Sequence, residues 1–395
     1  MKTGRDNLLL KKIKKILTQT DFILIAITLA LSVYGTVMVS SATYTAESTT
    51  YFSRDARVMI LALVLGLGVA LAVSFIDYDI ILKLSPVVAV GCVGVMLLLF
   101  KIGVSPEGRS DAISWIKIGT LYFQPSEVVK IGFIITFSRH LERVKNSISE
   151  IRNVIALAIH AAIPIVLVVA TGDMGSALIF MIMFIGMMYI SGVHWLYFPA
   201  AGAAIVAAAP FIWYKIFDDI QRNRILAIIN PDDYPTEIYQ QNQALKAISN
   251  GGFSGMGLFK GELSHSKFLP EKENDMILSV ICEELGFIGA FLLFAFFLLL
   301  AIRIISVGKR SRSFAAMMIC YGTAFMIVGQ AAVNIGMCTR LLPVIGITLP
   351  FISAGGSSTL CLYLAIGIIL SVYRSSGGLG YENDYRFARI AREYY

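Results

Sequence analysis

Charge is scarce in this 395-residue chain: Asp, Glu, Lys and Arg make up 15% of it, against about 25% in soluble domains. Its four histidines form no HExxH or similar ligand pair, so the sequence encodes no transition-metal site of that kind. Five cysteines, Cys92, Cys282, Cys320, Cys338 and Cys361, lie in or beside apolar segments without CxxC spacing. They read as small packing residues, which excludes a disulfide scaffold. No aromatic-interleaved basic patch and no nucleic-acid module accompanies the net charge of +7, so nucleic acid is not an expected partner. Repeats of soluble type are also missing.

Apolar residues dominate instead. They make up 57% of the chain, and the mean hydropathy is +0.74. At about 150 residues per domain the length alone would suggest two or three soluble units. Composition makes the bilayer the solvent and excludes a disordered tail protein or an ordinary cytosolic enzyme. The expectation is an all-α polytopic membrane protein forming one domain over 1–395. A helix needs about 20 mostly apolar residues to span the hydrocarbon. Ten segments qualify: 22–43, 56–76, 85–104, 124–140, 154–171, 174–191, 198–214, 277–302, 314–336 and 355–373. The fifth and sixth are parted only at Thr171–Gly175, read as a tight turn. The first follows Lys11, Lys12, Lys14 and Lys15 like a signal peptide, but it exceeds the usual apolar core of about 7–15 residues. It reads as a retained span.

Basic residues set the orientation. With the N-terminus inside, 19 of the 33 Lys and Arg fall in the expected inner segments. Seven of the remainder lie in one long segment, and long loops translocate largely regardless of charge. The basic segment 1–21 and the tail 374–395 are therefore expected in the cytoplasm. Segment 215–276, between spans seven and eight, becomes a large extracellular loop. Loops beyond about 12–15 residues are usually functional or disordered. This one contains amphipathic pieces such as Tyr239–Ile248 and a glycine run at 251–257, so an ordered cap is expected.

Ionisable residues inside a span cost about 2.5–3.5 kcal/mol each and need a reason. Glu127 and Lys130, at i and i+3, either form a packing ion pair or border a polar cavity. Asp275 sits at the loop-to-span junction, where it reads as a helix N-cap or as a carboxylate at the membrane–water boundary. Glu283 and Glu284 follow two turns deeper, about 12 Å below Asp275 at ~1.5 Å rise per residue. His160 reads as an interhelical donor and Asp173 as a turn residue. Segment 341–359 is too rich in Gly and Pro for one helix, and such backbone is tolerated in a membrane only where protein or a water-filled cavity surrounds it. The amides at Gly355–Ser358 either bind a phosphate or permit close packing.

Several of these stretches together resemble one known family. Trp115, Gly119 and Phe123-Gln124-Pro125-Ser126-Glu127 with Lys130 are similar to its tryptophan–glycine–QPSE block. Asn223-Arg224 to Pro231, Tyr239-Gln240 and the 251–257 run resemble the start of its large loop. Leu269-Pro270-Glu271, Asp275 and Glu283-Glu284-x-Gly286 follow in order. Asn334-x-Gly336, Leu342-Pro343, Gly346, Leu349-Pro350-Phe351 and Ser353-x-Gly355-Gly356-Ser357-Ser358 complete its C-terminal signature. The family is SEDS, for shape, elongation, division and sporulation. The resemblance implies a ten-span peptidoglycan glycosyltransferase that polymerises lipid II at the outer face of the bacterial cytoplasmic membrane. Its implied partners are a class B penicillin-binding protein and other membrane proteins of the elongation or division machinery.

The family's essential aspartate falls on Asp275, implied as the base of an inverting displacement. Implied substrate-binding candidates are Trp115, Lys117, Gln124, Ser126, Glu127, Lys130, Asp173, Arg222, Arg224, Glu283, Ser357 and Ser358. The departing pyrophosphate needs cationic stabilisation, from Lys117, Lys130, Arg222, Arg224 or a divalent Mg2+ or Mn2+ that the protein does not itself cage. Some positions depart from the family pattern. Asn274-Asp275-Met276 stands for Thr-Asp-Phe, Ser114 for Arg and Thr171-Gly172 for Gln-Pro. Arg340 stands for Gly, Thr348 for Pro and Ala354 for an aromatic residue. These lean the chain toward the RodA-like elongation branch or a sporulation paralogue. Two rival readings are a lipid flippase or transporter, which needs midplane groups such as Glu283, and a non-catalytic scaffold of the wall-synthesis complex.

Overall fold

The computed structural model describes residues 19–44, 52–105, 112–119 and 121–377. The Lys11–Lys15 cluster and most of the tail 374–395 lie outside the described residues. All ten expected spans are helical: α1 Phe22–Ala42, α2 Arg54–Ser74, α4 Ser85–Ile102, α5 Pro125–Val144, α6 Ile151–Ala170, α7 Met174–Ile190, α8 Tyr197–Phe211, α11 Ile277–Lys309, α12 Phe314–Cys338 and α13 Gly356–Ser375. A short α3, Tyr78–Lys83, precedes α4. Helix α8 runs on through one π-turn, Ile212–Ile216. Eight of these segments are long and apolar enough to cross a membrane. The other two are α7, which has 17 residues, and α5, which carries Glu127, Lys130, Arg139, Glu142 and Arg143.

Several helices start where a short polar side chain meets their free amides. Asp21 accepts from Leu24 N at 3.1 Å, Ser53 from Ala56 N at 3.1 Å, and Ser313 from Ala316 N at 3.1 Å. The turn expected at Thr171–Gly175 is present, with Gly172 at φ 80°. Asp173 caps α7 there by accepting from Ser176 N at 2.9 Å.

Helices α12 and α13 form the centre of the bundle, since most of each is buried, whereas α4, α6 and α8 present largely exposed apolar faces. Helix α13 lies along α2 at backbone distance: a Cβ on Gly66 would strike the Tyr363 ring, and one on Gly367 would meet Ala70 Cα at 2.9 Å. His160 has two polar partners: Nε2 lies 3.1 Å from Thr136 Oγ1, and Nδ1 lies 3.0 Å from His140 Nδ1. The cysteines are free and, apart from half-buried Cys92, buried.

Two features were not expected. The segment before α5 folds into a small antiparallel hairpin, β1 Ile116–Ile118 against β2 Leu121–Phe123, with Lys117 opposite Tyr122. Polar–apolar alternation across this segment matches the period of two of a strand. The second is a break in α11 at Gly286, where φ is 64° and ψ −159°. The break frees carbonyls and amides at mid-helix, and the long loop takes them up. Met256 N and Gly257 N donate to Glu283 O and Glu284 O, each at 2.9 Å, while Phe287 N and Ile288 N donate to Gly252 O and Phe253 O at 3.0 and 3.3 Å.

The long loop is ordered through two helices, α9 Asp219–Ile229 and α10 Pro235–Gly251. Helix α9 opens with a reciprocal capping box between Asp218 and Gln221. Helix α10 packs on α11 and ends so close to it that a Cβ on Gly251 would overlap Cys282 O.

Candidate active site

Asp275 occupies the last turn before α11 and is partly buried. The helix N-cap is Met276, and no side chain caps it, so Asp275 does not serve there as the N-cap. Three successive carbonyls in this turn are fixed from the C-terminal part of the chain. Ala354 N donates to Glu273 O at 2.8 Å. Ser353 Oγ donates to Asn274 O at 2.7 Å. Asn334 Nδ2 donates to Asp275 O at 2.8 Å, and the same amide reaches Ile347 O at 2.8 Å.

Ile347 belongs to the non-helical segment 341–355, which is buried at Ile347 and from Leu349 to Ser353. Gln241 of α10 donates to Met337 O at 2.8 Å and to Leu342 O at 2.7 Å. A Cβ on Gly35 of α1 would strike Phe351 O, and one on Gly175 of α7 would meet Ile345 O at 2.7 Å. The segment thus links the Asp275 turn to the head of α7.

A second polar group gathers at that head. Gln124 Nε2 and Ser126 Oγ donate to Asp173 Oδ2 at 3.0 Å and 3.2 Å. Ser176 Oγ donates to Ser126 Oγ at 3.2 Å. One turn further along α5, Lys130 donates to Glu127 Oε1 at 2.8 Å, with the ammonium fully buried. Their ion pair is therefore real, and burial leaves each charge dependent on the other. Arg224 of α9 lines a cleft with Gly172, Met174, Pro343 and Ile345, beside Asp173. Five of the expected residues, Gln124, Ser126, Glu127, Lys130 and Asp173, thus sit together at the heads of α5 and α7.

Other expected residues are placed differently. Trp115 bridges Val104 through backbone bonds of 2.7 and 3.2 Å, and Lys117 lies over the Tyr122 ring at 5.7 Å. Arg222 turns back onto its own helix start, donating to Phe217 O at 3.1 and 3.0 Å. Ser357 and Ser358 open α13, whose N-terminus has no side-chain cap.

Glu283 is buried and fastens the loop. It accepts from Leu263 N at 2.9 Å, Ser264 N at 2.7 Å, Asn250 Nδ2 at 3.3 Å and, in a very short contact, Ser264 Oγ. Glu284 beside it accepts from Ser41 Oγ at 2.6 and 2.7 Å and pairs with His265 at 3.1 Å. Asn334, Ser353, Gln241 and Ser264 held no expected role. Asn334 and Ser353 stand in the C-terminal signature, which gives neither of them a role.

Two loop residues titrate away from their ordinary range. Burial raises the pKa of Glu273, with the Glu271 and Asp55 charges adding to it and a backbone hydrogen bond and Lys272 opposing. Burial lowers Lys272, against the opposing pull of Glu273, Glu283 and Glu284. Lys272 Nζ donates to Ser264 O at 2.6 Å and to Ser266 O at 3.1 Å, which ties the segment before Asp275 to the loop. Among the described residues no three His, Cys, Asp or Glu side chains are grouped to hold a metal ion.

Comparison with known proteins places the chain. It is 29% identical over 357 residues to the peptidoglycan glycosyltransferase MrdB of Escherichia coli (strain K12), covering 89% of this chain and 93% of that one. It is 32% identical over 371 residues to the stage V sporulation protein E of Bacillus subtilis (strain 168), covering 91% and 98%. Against the probable peptidoglycan glycosyltransferase FtsW of Geobacter metallireducens it is 32% identical over 372 residues, covering 93% and 98%. The fold is shared with a chain of a peptidoglycan synthase complex that coordinates polymerisation and crosslinking, at TM-score 0.75 and 23% identity over 92% of this chain and 99% of that one. It is also shared with the rod shape determining protein RodA of Thermus thermophilus, at TM-score 0.66 and 22% identity over 91% and 98%. The model of the cell cycle protein family FTSW_RODA_SPOVE matches residues 21–377, and the chain belongs to that family.

Proposed function

We propose that this chain is a peptidoglycan glycosyltransferase that polymerises lipid II in the cytoplasmic membrane, with Asp275 as general base. Membership of a family whose relatives are peptidoglycan glycosyltransferases supports the reaction class. The observation that carries the role of Asp275 is its setting. It stands at the junction of loop and span, its main chain is fixed by Asn334 and Ser353, and the helix start does not take it as a cap.

The donor is an α-linked sugar on a polyprenyl pyrophosphate and the product bond is β-1,4, so one in-line displacement must invert the anomeric carbon. Asp275 takes the proton of the acceptor 4-hydroxyl as its oxygen bonds that carbon, while the pyrophosphate leaves from the opposite face. A positioned base contributes about 10²–10⁴-fold. The charge that builds on the leaving group needs preorganised cations. Candidates are Arg224, which lines the cleft with Gly172 and Met174, and Lys117 on the hairpin, while Arg222 holds its own helix start. A divalent cation carried in by the pyrophosphate would neutralise the same charge, with one or two carboxylates of the chain completing its shell.

The loop end of the bundle is the outer face in this reading, with both termini cytoplasmic and ten helices crossing the membrane. The partner is a class B penicillin-binding protein, in keeping with the synthase complex whose fold is shared. A transport pathway would need Glu283 as a midplane group. That carboxylate instead accepts four hydrogen bonds from the loop and α10.

The test is lipid II polymerisation by the purified protein, its partner disabled in any glycan chemistry. Asp275→Asn is expected to cut turnover about 10²–10⁴-fold. Equal polymer from both proteins would move the base elsewhere. No polymer from either, with the partner bound, would favour flipping or scaffolding.

A further inference from the structure

The mechanism above uses Asp275 but leaves unexplained what aims it. The reach of Asp275 depends on where its main chain is held, since a displacement of about 1 Å at a reacting group can cost ~10²-fold in rate. The helix gives no help, because α11 starts one residue later without a side-chain cap.

The restraint comes from α12 and the segment after it. Asn334 is fully buried, one turn before the end of α12. Its amide has two N–H groups, and both are directed at backbone carbonyls: Asp275 O at 2.8 Å and Ile347 O at 2.8 Å. Two carbonyl neighbours require the nitrogen, not the oxygen, on that side, so the chemistry fixes the orientation of the group. Cys338, one turn on, adds a thiol contact to Asp275 O at 3.4 Å. Ser353 repeats the arrangement next door: its hydroxyl donates to Asn274 O at 2.7 Å and accepts from Leu349 N at 2.8 Å.

A single amide thus ties the Asp275 turn to the unwound segment, and a hydroxyl ties the neighbouring residue to the same segment. Both Asn334 and Ser353 belong to sequence motifs for which the reaction itself provides no task. We propose that Asn334, seconded by Ser353, is a positioning residue that holds the Asp275 main chain so that its carboxylate faces the acceptor hydroxyl. Neither side chain touches substrate in this assignment. The proposal rests on the reading of Asp275 as the base.

Asn334→Leu removes both donors while keeping the branching and heavy-atom count of the side chain, and Ser353→Ala removes the second tether. Each full-length variant, with its penicillin-binding partner, is compared with wild type for lipid II polymerisation per folded molecule, read as separate kcat and KM. Thermal unfolding of each variant gives the folded fraction. Asn334→Leu is expected to lower kcat about 10- to 100-fold while KM stays within about threefold. Ser353→Ala is expected to change kcat in the same direction by less. A residue that served folding alone would lower the folded fraction and leave kcat per folded molecule unchanged, and that result overturns the proposal. A parallel loss in kcat and in lipid II affinity overturns it too, because it would place Asn334 in substrate binding. If Asn334→Leu fails to fold, Ser353→Ala decides by the same criteria. Asp275→Asn is run beside them. Wild-type turnover there would bring down the base reading and the clamp with it. An inactive Asp275→Asn beside an unaffected Asn334→Leu would bring down the clamp alone.

Discussion

Arg340 shows how a single residue can sit against its backbone. It follows the C-cap of α12 with φ 60°, and Leu341 N reaches Gly336 O at 2.8 Å while Arg340 N reaches Met337 O at 3.2 Å. This is the Schellman ending, whose left-handed position is usually glycine. An L side chain there costs roughly 1–2 kcal/mol, and glycine returns about 0.5–1 of that as lost chain entropy. Arg340→Gly also gives up one 3.3 Å bond to Asn242. It should therefore stabilise the protein by about 0.5–1 kcal/mol, seen as a Tm about 1 °C higher; a lower Tm would mean that the Asn242 contact outweighs the strain. Glu273 makes a prediction in pH. Its pKa is raised in the folded protein by burial, so folding favours the protonated acid. The stability that follows is complete below the ordinary carboxyl range and is lost as pH climbs through the raised value. Glu273→Gln should be more stable than wild type at pH 7, with the difference closing as pH falls toward 4. A difference independent of pH would show that the carboxyl is not the cause.

At the scale of elements, the break in α11 carries the sharpest prediction. A Cβ on Gly286 would lie 2.3 Å from Gly255 N and 2.6 Å from Phe253 O, at φ 64°. Gly286→Ala must either drive the loop off the helix or straighten the helix, and both leave the exchanged backbone bonds at 252–257 unmade. The cost should exceed about 3 kcal/mol, above the ordinary range for a point change, and protease sites in 252–262 should open at the same time. The helices themselves were legible from composition: long apolar runs bounded by Asp21, Ser53 and Ser313 lie within a few residues of where they were expected. The break was not. Apolar residues continue on both sides of Gly286, and what ends the helix there is the loop backbone, some 30 residues away in sequence. The 251–257 glycines and the Glu-Glu-x-Gly stretch were visible separately, but nothing in one sequence pairs them. The active-site candidates divided in the same way. Local signals found Asp275, Glu127 with Lys130, and Asp173, whereas Asn334 and Ser353 act through main-chain carbonyls far along the chain. The bonds of Arg222 to Phe217 O are equally invisible in the sequence, which offers it only as a basic residue of the loop.

On the scale of the whole molecule, α1 is fastened to α11 at three depths, one before the break at Gly286 and two after it. At the loop end Ser41 donates to Glu284 at 2.6 and 2.7 Å. Just past the break, Tyr34 donates to Gly289 O at 3.1 Å. At the far end Arg303 holds Asp21 through three hydrogen bonds of 2.8–3.0 Å, and its guanidinium also lies 5.8 Å from the centre of the Tyr373 ring. Asp21 has no exposed side-chain surface and Arg303 retains 19%, so removing one partner strands a charge that water reaches poorly. Breaking a buried pair costs about 3–5 kcal/mol, and the partial exposure of Arg303 puts Asp21→Ala toward or below the lower bound. Asp21→Ala also deletes the N-cap of α1, worth about 1 kcal/mol. The stranded cation can be tested apart from the cap. Asp21→Asn keeps a capping oxygen and leaves Arg303 without its counter-charge, and Arg303→Met in that background removes the cation. If the unpaired charge is the main cost, the double variant should recover more than half of the stability that Asp21→Asn loses, read by thermal unfolding in one detergent. If the double variant is as weak as the sum of Asp21→Asn and Arg303→Met, the two residues contribute independently, and a stranded cation is not the cost.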